Sequence, residues 1–255
     1  MLRLQSPDTA CAAVQSTAED HVMANITDSG IDRGIWVIWY DIAPDQRAEY
    51  LDWFHRVHIP EKLARPGYRW AAHYELGHGG RGIGYVALFG GDSTHTFLNP
   101  SPGQLATRQS PETRTFIGMR INAAACILAE EIRIDGADAA TRKPGLTSAA
   151  VIQIGSFNAP TPQVEDDLGG WYAQERFPLL KTLPGCVGAR KLLASVGAHK
   201  HAILYEFTSL KAREHHYAPL EAQAQDPSTW MGRVVPKLLH APHSPAVGIR
   251  LFPSL

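Results

Sequence analysis

The residues of this 255-residue chain best suited to chemistry are two histidines three apart, His55 and His58, in the stretch Trp53-Phe54-His55-Arg56-Val57-His58-Ile59-Pro60. Imidazole titrates near neutral pH, so a histidine at a helix end beside a cleft can take up and return a proton. His58 is therefore the first candidate for general acid or base. The plainer alternative is a histidine that caps the turn before Pro60. Residues three apart share a helix face, so His55 either holds His58 in one tautomer, touches substrate or stands in solvent. Glu61 extends the row, but Pro60 interrupts it. The spacing is not that of a His-Glu-x-x-His zinc helix, and no metal site is expected.

Other polar groups fall on the neighbouring strands. Tyr40 and Asp41 close the first one, where a strand end beside a helix start makes the mouth of a pocket; the alternative for Asp41 is turn formation and helix capping. His73, Tyr74 and Glu75 follow on the second strand. Alternation puts His73 and Glu75 on one face and Tyr74 on the other, so either a His-Glu proton relay or a Tyr oxyanion donor faces the helices. Trp36, Trp39, Trp53, Trp70, Tyr85 and Phe89 make this half heavily aromatic. They are core residues in the first instance, and also the wall that a planar organic substrate requires. His215, His216, His240 and His243 have no acidic partner in view and read as surface. No nucleophile elbow is present, and Cys126 and Cys186 read as buried strand or turn residues.

The elements that must position these groups are legible in order. A β-branched and aromatic strand over 35–40 gives way at Pro44 to a helix over 46–63, with Tyr50, Trp53, Phe54 and Val57 on its apolar face and Pro60 ending or kinking it. Strands over 69–76 and 83–89 flank a glycine-rich loop at 77–82, which lacks the strand-to-helix setting of a phosphate-binding loop. A broken helical region over 93–118 and a strand over 124–134 complete the order β-α-β-β-α-β. That order then returns: strand 149–157, helix 163–183, strands 189–195 and 201–207, helix 210–225, a helical turn over 230–239 and strand 246–252.

The return is visible in the residues themselves. Trp53, Pro60 and Pro66-Gly67 recur 118 positions later as Trp171, Pro178 and Pro184-Gly185, while His55 and His58 become Ala173 and Arg176. Matching Pro44 to Pro160 sets Ser156 and Phe157 at the places of Tyr40 and Asp41. We therefore expect an α+β chain of two tandem ferredoxin-like repeats. Residues 34–136 form the active half, 137–148 a linker and 149–255 a supporting half, after a mobile arm at 1–33. Each four-stranded sheet needs its open face covered, so the two would close one intrachain α/β barrel with the helices outside.

Composition narrows the partners. The formal net charge is −1, with 24 Lys and Arg against 25 Asp and Glu, which leaves no electrostatic footprint for nucleic acid or a membrane surface. Three cysteines without metal-type pairing fit a reducing cytoplasm. No secretory signal or membrane-spanning run is seen. A small molecule is the expected partner, and self-association of the barrel is left open.

The Trp53-to-Tyr68 segment, with His58-Ile59-Pro60 and Pro66-Gly67, resembles the EthD-like branch of the dimeric α/β-barrel superfamily. The resemblance covers most of 34–136 and, more weakly, 149–255. It implies small aromatic, polyketide-like or lactone substrates, and a range of activities: cofactor-free monooxygenases, cyclases, isomerases, dehydratases or decarboxylases, and haem-binding branches. With no cofactor motif in the chain, the reading is a cofactor-independent lyase or isomerase acting by acid/base catalysis on a small aromatic or alicyclic compound, in degradation or secondary metabolism. His58 would move the proton, with His55, Tyr40, Asp41 and either His73 or Tyr74 orienting it. The alternatives are a cofactor-free or haem-assisted monooxygenase and a non-catalytic small-molecule-binding accessory protein.

Overall fold

Four strands of the first half, β1 (Gly34–Asp41), β2 (Tyr68–His78), β3 (Tyr85–Gly91) and β4 (Ile121–Asp135), pair antiparallel in the order β4-β1-β3-β2. The computed structural model describes residues 32–78, 84–141, 149–242 and 244–254. Nearly all of the predicted arm and most of the glycine-rich loop lie outside these residues, as do much of the linker and His243. In the second half β5 (Val151–Asn158), β6 (Cys186–Val196), β7 (His201–Phe207) and β9 (Ala246–Phe252) pair in the order β6-β7-β5-β9. The two-residue β8 (Leu239–His240) adds to the edge of β5. Antiparallel pairing of β4 with β6 and of β2 with β9 joins the two groups into a closed eight-stranded barrel.

Closure covers the inner face of the sheet, and alternation then sorts the side chains. Ile35, Val37, Trp39, Trp70, Ala72, Tyr74, Leu128, Ile154, Leu192 and Leu204 fill the interior. Trp36, Ile38, Tyr40, Ala71 and Phe89 point outward and are buried under the first-half helices. The barrel is thus a packed core, and any site must lie between sheet and helices.

Helix α1 covers the first half. It runs through α-helical Arg47–Trp53, a π-helical turn Phe54–His58 and α-helical Ile59–Leu63. Short helices α2 (Pro102–Ala106) and α3 (Pro111–Gly118) follow, each N-capped by a serine. In the second half α4 has the same three-part build: Pro162–Trp171, π-helical Tyr172–Arg176 and Phe177–Thr182. Helix α5 (Leu210–Ala212, π-helical Arg213–Tyr217, Ala218–Glu221) repeats it in short form, and α6 spans Trp230–Val234. Of the two expectations for Pro60, an end or a kink in a helix over 46–63, the helix does not end there but continues to Leu63 behind a π turn. A proline has no N–H and presses on the carbonyl one turn back; the wider π turn before it removes the need for that bond. The same pairing of a π turn with a following proline recurs at Pro178 and Pro219. Among the described residues no helix is long and apolar enough to cross a membrane.

One end of the barrel is tied by Asp32, just before β1. Its carboxylate accepts from Trp70 Nε1 on β2 (2.6 Å), Arg190 Nη1 on β6 (2.7 Å) and Arg133 Nη2 on β4 (2.9 Å). Burial alone would raise the Asp32 pKa, but Arg190 and Arg133 together outweigh it and hold the carboxyl below its ordinary range. Removing one charge from such a buried pair leaves the other uncompensated, so Asp32→Asn should cost about 3–5 kcal/mol in urea unfolding at pH 7. That difference should persist above the ordinary carboxylate pKa of 3.8. It should shrink as pH falls further, through the lowered folded-state value.

Candidate active site

Beneath α1, three of the predicted residues meet in one hydrogen-bonded line. His73 projects from β2 toward the helices, and its Nε2 lies 2.9 Å from the Tyr40 hydroxyl of β1. Its Nδ1 lies 2.8 Å from Nε2 of His55, which the π turn of α1 swings over the sheet. Both nitrogens of His73 are therefore engaged, one as donor and one as acceptor. The line runs from a fully buried phenol to a half-buried imidazole whose other side stacks on Phe252 at 4.8 Å. Burial, with His55 and Arg120 adding to it, holds His73 well below the ordinary histidine pKa, and burial likewise lowers His55. Burial and the neighbouring Tyr50 push the Tyr40 phenol well up. Every member is thus neutral near pH 7.

His58 stands apart from this line. It sits against Trp53 and Phe54, with ring centres at 4.8 and 5.5 Å, and its Nδ1 is buried without a hydrogen-bond partner. Burial first, then the charges of Lys62, Arg120 and Arg65, push its pKa down to about 2. Lys62, one turn on, is also buried and is lowered to about 7, again by burial and then by Arg65 and Arg120. Arg120, in the turn leading into β4, donates from Nε to the Tyr50 hydroxyl (2.7 Å) and lays its guanidinium 4.6 Å from the Tyr40 ring centre. Lys62, Arg65 and Arg120 were not anticipated from the sequence. Phe54, His58 and Lys62 fall four apart, which is a readable sign that the lysine lies on the buried face. Arg120 follows a broken helical region and carries no such sign.

The remaining predicted residues are dispersed. Trp36, Trp53, Tyr85 and Phe89 share the helix-covered face with the relay, whereas Trp39 and Trp70 lie inside the barrel. Tyr74 also points inward, donating to the Ala149 carbonyl at 2.8 Å. Asp41 accepts from the Ile42 N–H and faces Arg47 at 3.6 Å, but it does not cap α1, whose N-cap is Gln46. Glu75, on the same face as His73, is exposed.

The second half holds no copy of the relay. Strand pairing aligns Tyr40 with Phe157, since Tyr40 faces Tyr85 on β3 as Phe157 faces His201 on β7. The proline match that placed Ser156 there is off by one residue, because the strand-to-helix connections differ in length, and a one-residue slip swaps faces. Lys191, paired with Glu131, takes the place of His73. Arg176, in place of His58, donates to the Tyr217 hydroxyl at 2.7 Å. A cavity of about 90 Å³ remains beside it, lined by Trp171, Tyr172, Tyr205 and Tyr217 among others.

Among the described residues no group of three His, Cys, Asp or Glu side chains converges as a metal site. At the relay a haem does not fit: His73 has no free nitrogen and His58 is enclosed by Trp53 and Phe54.

No family model matches the chain, and no curated protein matches it in sequence. Solved structures do match it in shape. An anthrone oxidase-like protein superposes with a TM-score of 0.56 at 11% identity, over 86% of this chain and 91% of its own. A proposed chlorite dismutase gives 0.54 at 12% identity, over 87% and 96%. A proposed monooxygenase from Lactobacillus acidophilus NCFM gives 0.51 at 9% identity, over 86% and 94%. The chain has the dimeric α/β-barrel fold. At these identities the likeness is one of fold alone.

Neutral buried histidines leave a signature in stability. The unfolded chain binds protons below the ordinary value of 6.5, whereas the folded His58 does not until about pH 2. Stability should therefore fall as pH drops from 6.5, each such histidine contributing up to about 1.4 kcal/mol per pH unit. His58→Gln should flatten the slope by that amount in urea titrations between about pH 6 and about pH 4.

Proposed function

We propose that the chain is a tandem of two ferredoxin-like units, 34–136 and 149–255, related to the EthD-like branch. On this reading the first unit is a cofactor-independent enzyme that moves a proton on an enolisable ring compound. The shared strand order of the two halves and the π turns 118 residues apart support the tandem reading. The Tyr40–His73–His55 line carries the catalytic one. When His55 Nε2–H donates to His73 Nδ1, and His73 Nε2–H to the Tyr40 oxygen, the Tyr40 hydrogen is free to turn to a substrate carbonyl. Concerted transfer along the line, with a solvent proton taken up at Nδ1 of the half-buried His55 as its Nε2 proton leaves, then protonates the substrate oxygen without charging the buried His73, in keeping with its lowered pKa. His58 accepts the ring carbon's proton, and Arg120 stabilises the enolate beside Tyr40.

The enolate has two fates. Reprotonation, or loss of a β-leaving group, makes the enzyme an isomerase or lyase. Capture by O2 makes it a cofactor-free monooxygenase, the outcome that the names of two structural neighbours favour. Anthrone distinguishes them: its oxidation consumes one O2 and gives anthraquinone and one water. Deuterium exchange at its methylene in D2O without air should exceed the uncatalysed rate. Tyr40→Phe, which keeps shape and burial, should lower kcat about 10²–10⁴-fold with His73→Gln alike. O2 uptake in air at the rate of exchange would select the monooxygenase; exchange without uptake would select the isomerase or lyase. Exchange unaffected by Tyr40→Phe would remove the relay from the mechanism.

A further inference from the structure

Most buried cations of this barrel have a carboxylate. Arg133 and Arg190 share Asp32, Lys191 has Glu131 and Arg213 has Glu221. The cluster under α1 is different. His58 Nδ1, Arg65 Nη1 and Arg120 Nη2 are buried without a hydrogen-bond partner. Lys62 is 5% exposed, and its ammonium lies 4.6 Å from the centre of the Trp36 ring. Among the described residues none of the four is paired with a carboxylate. The charges act on one another: Lys62, Arg120 and Arg65 all depress His58, and Arg65 and Arg120 depress Lys62. The groups that face them from neighbouring elements are Tyr68 on β2 beside Arg65, and Tyr40 and Tyr50 beside Arg120. All are phenols raised by burial, so they bring no counter-charge. Glu61, the one acid that acts on Lys62, is exposed and is the weakest of the influences on it.

Orphaned donors and uncompensated like charges in a dry setting are costly unless an anion completes them. The walls set the rest of the ligand. Arg120 faces the rings of Tyr40 and Phe54, and Lys62 faces Trp36, so the anionic end is flanked by flat aromatic surface. We propose that Lys62, Arg65 and Arg120 bind the carboxylate of a small planar ring acid beside His58, with the ring lying toward Tyr40. This names the substrate class of the proton-transfer site and rests on that reading for its catalytic consequence. A bound carboxylate offsets part of the positive charge of Lys62, Arg120 and Arg65, which adds to burial in suppressing His58, so the base gains strength when substrate arrives.

Titration calorimetry and tryptophan fluorescence with benzoate, benzyl alcohol and inorganic phosphate test it on the full-length protein. Benzoate should bind roughly tenfold or more tighter than its neutral isostere. Lys62 must be protonated to hold the anion, so benzoate should weaken about tenfold per pH unit above the lysine's value of about 7. Lys62→Met should weaken benzoate to a similar degree and abolish that pH dependence. Its unliganded Tm should equal or exceed that of the wild type, because an apolar side chain replaces a buried ammonium, so loss of binding cannot be loss of fold. Equal binding of benzoate and benzyl alcohol, or phosphate binding as tight as benzoate, would overturn the proposal. Benzoate binding without anthrone exchange would leave this site standing and remove the proton chemistry. Exchange with no preference for the acid would do the reverse.

Discussion

Everything in this molecule depends on the closure of the barrel at its two seams, where β4 meets β6 and β2 meets β9. Without the seams, each four-stranded sheet would present an apolar face to water. With them, the interior packs solid around Trp39, Trp70, Tyr74 and their aliphatic neighbours, and β1 and β3 are buried on both faces. The Asp32 carboxylate reinforces the joint by holding arginines from β4 and β6 and an indole from β2. Because the interior is full, polar chemistry is displaced to the outer face, under the helices.

That division decides which of two adjacent residues works. His73 and Tyr74 differ by one position and stand on opposite sides of the sheet: one joins the relay, the other locks the barrel interior to Ala149. Period-two alternation was readable from the sequence, but the face that would be covered by helices was not, since both strand faces are apolar. The strands themselves were legible to within a few residues, β7 and β9 at their predicted bounds, because β-branched and aromatic runs end at clear turn residues.

The site was less legible, for three physical reasons. A proline in a helix reads as a break, whereas a π turn absorbs Pro60 and rotates His55 over the sheet. A register set by matching Pro44 with Pro160 slips by one, because loops change length more freely than strands. And Arg120 reaches the site from far along the chain, after a helical region with no clear period. The aromatic residues were read as one wall, but parity divides them between two cores.

The two halves meet the same problem at the same place and resolve it differently. Position 176 is an arginine at the end of a π turn, buried among phenols, one of which, Tyr217, takes its hydrogen bond; those phenols and that bond keep it charged. Position 58, the matching place, is a histidine whose nearest rings, Trp53 and Phe54, carry no acceptor for it, and whose neighbours Lys62 and Arg65 repel a proton. In one half the cation is satisfied by the protein's own groups, and the space serves packing. In the other the donors are left open, and the burial that opposes charge in His58 and Lys62 is held in place by the tight aromatic cover of α1 over the sheet. A fold that closes on itself so completely can tolerate such unsatisfied groups only because its stability is supplied elsewhere, by the interior and the seams. The asymmetry between His58 and Arg176 is thus one between a buried donor left open and a buried donor paired by the protein itself.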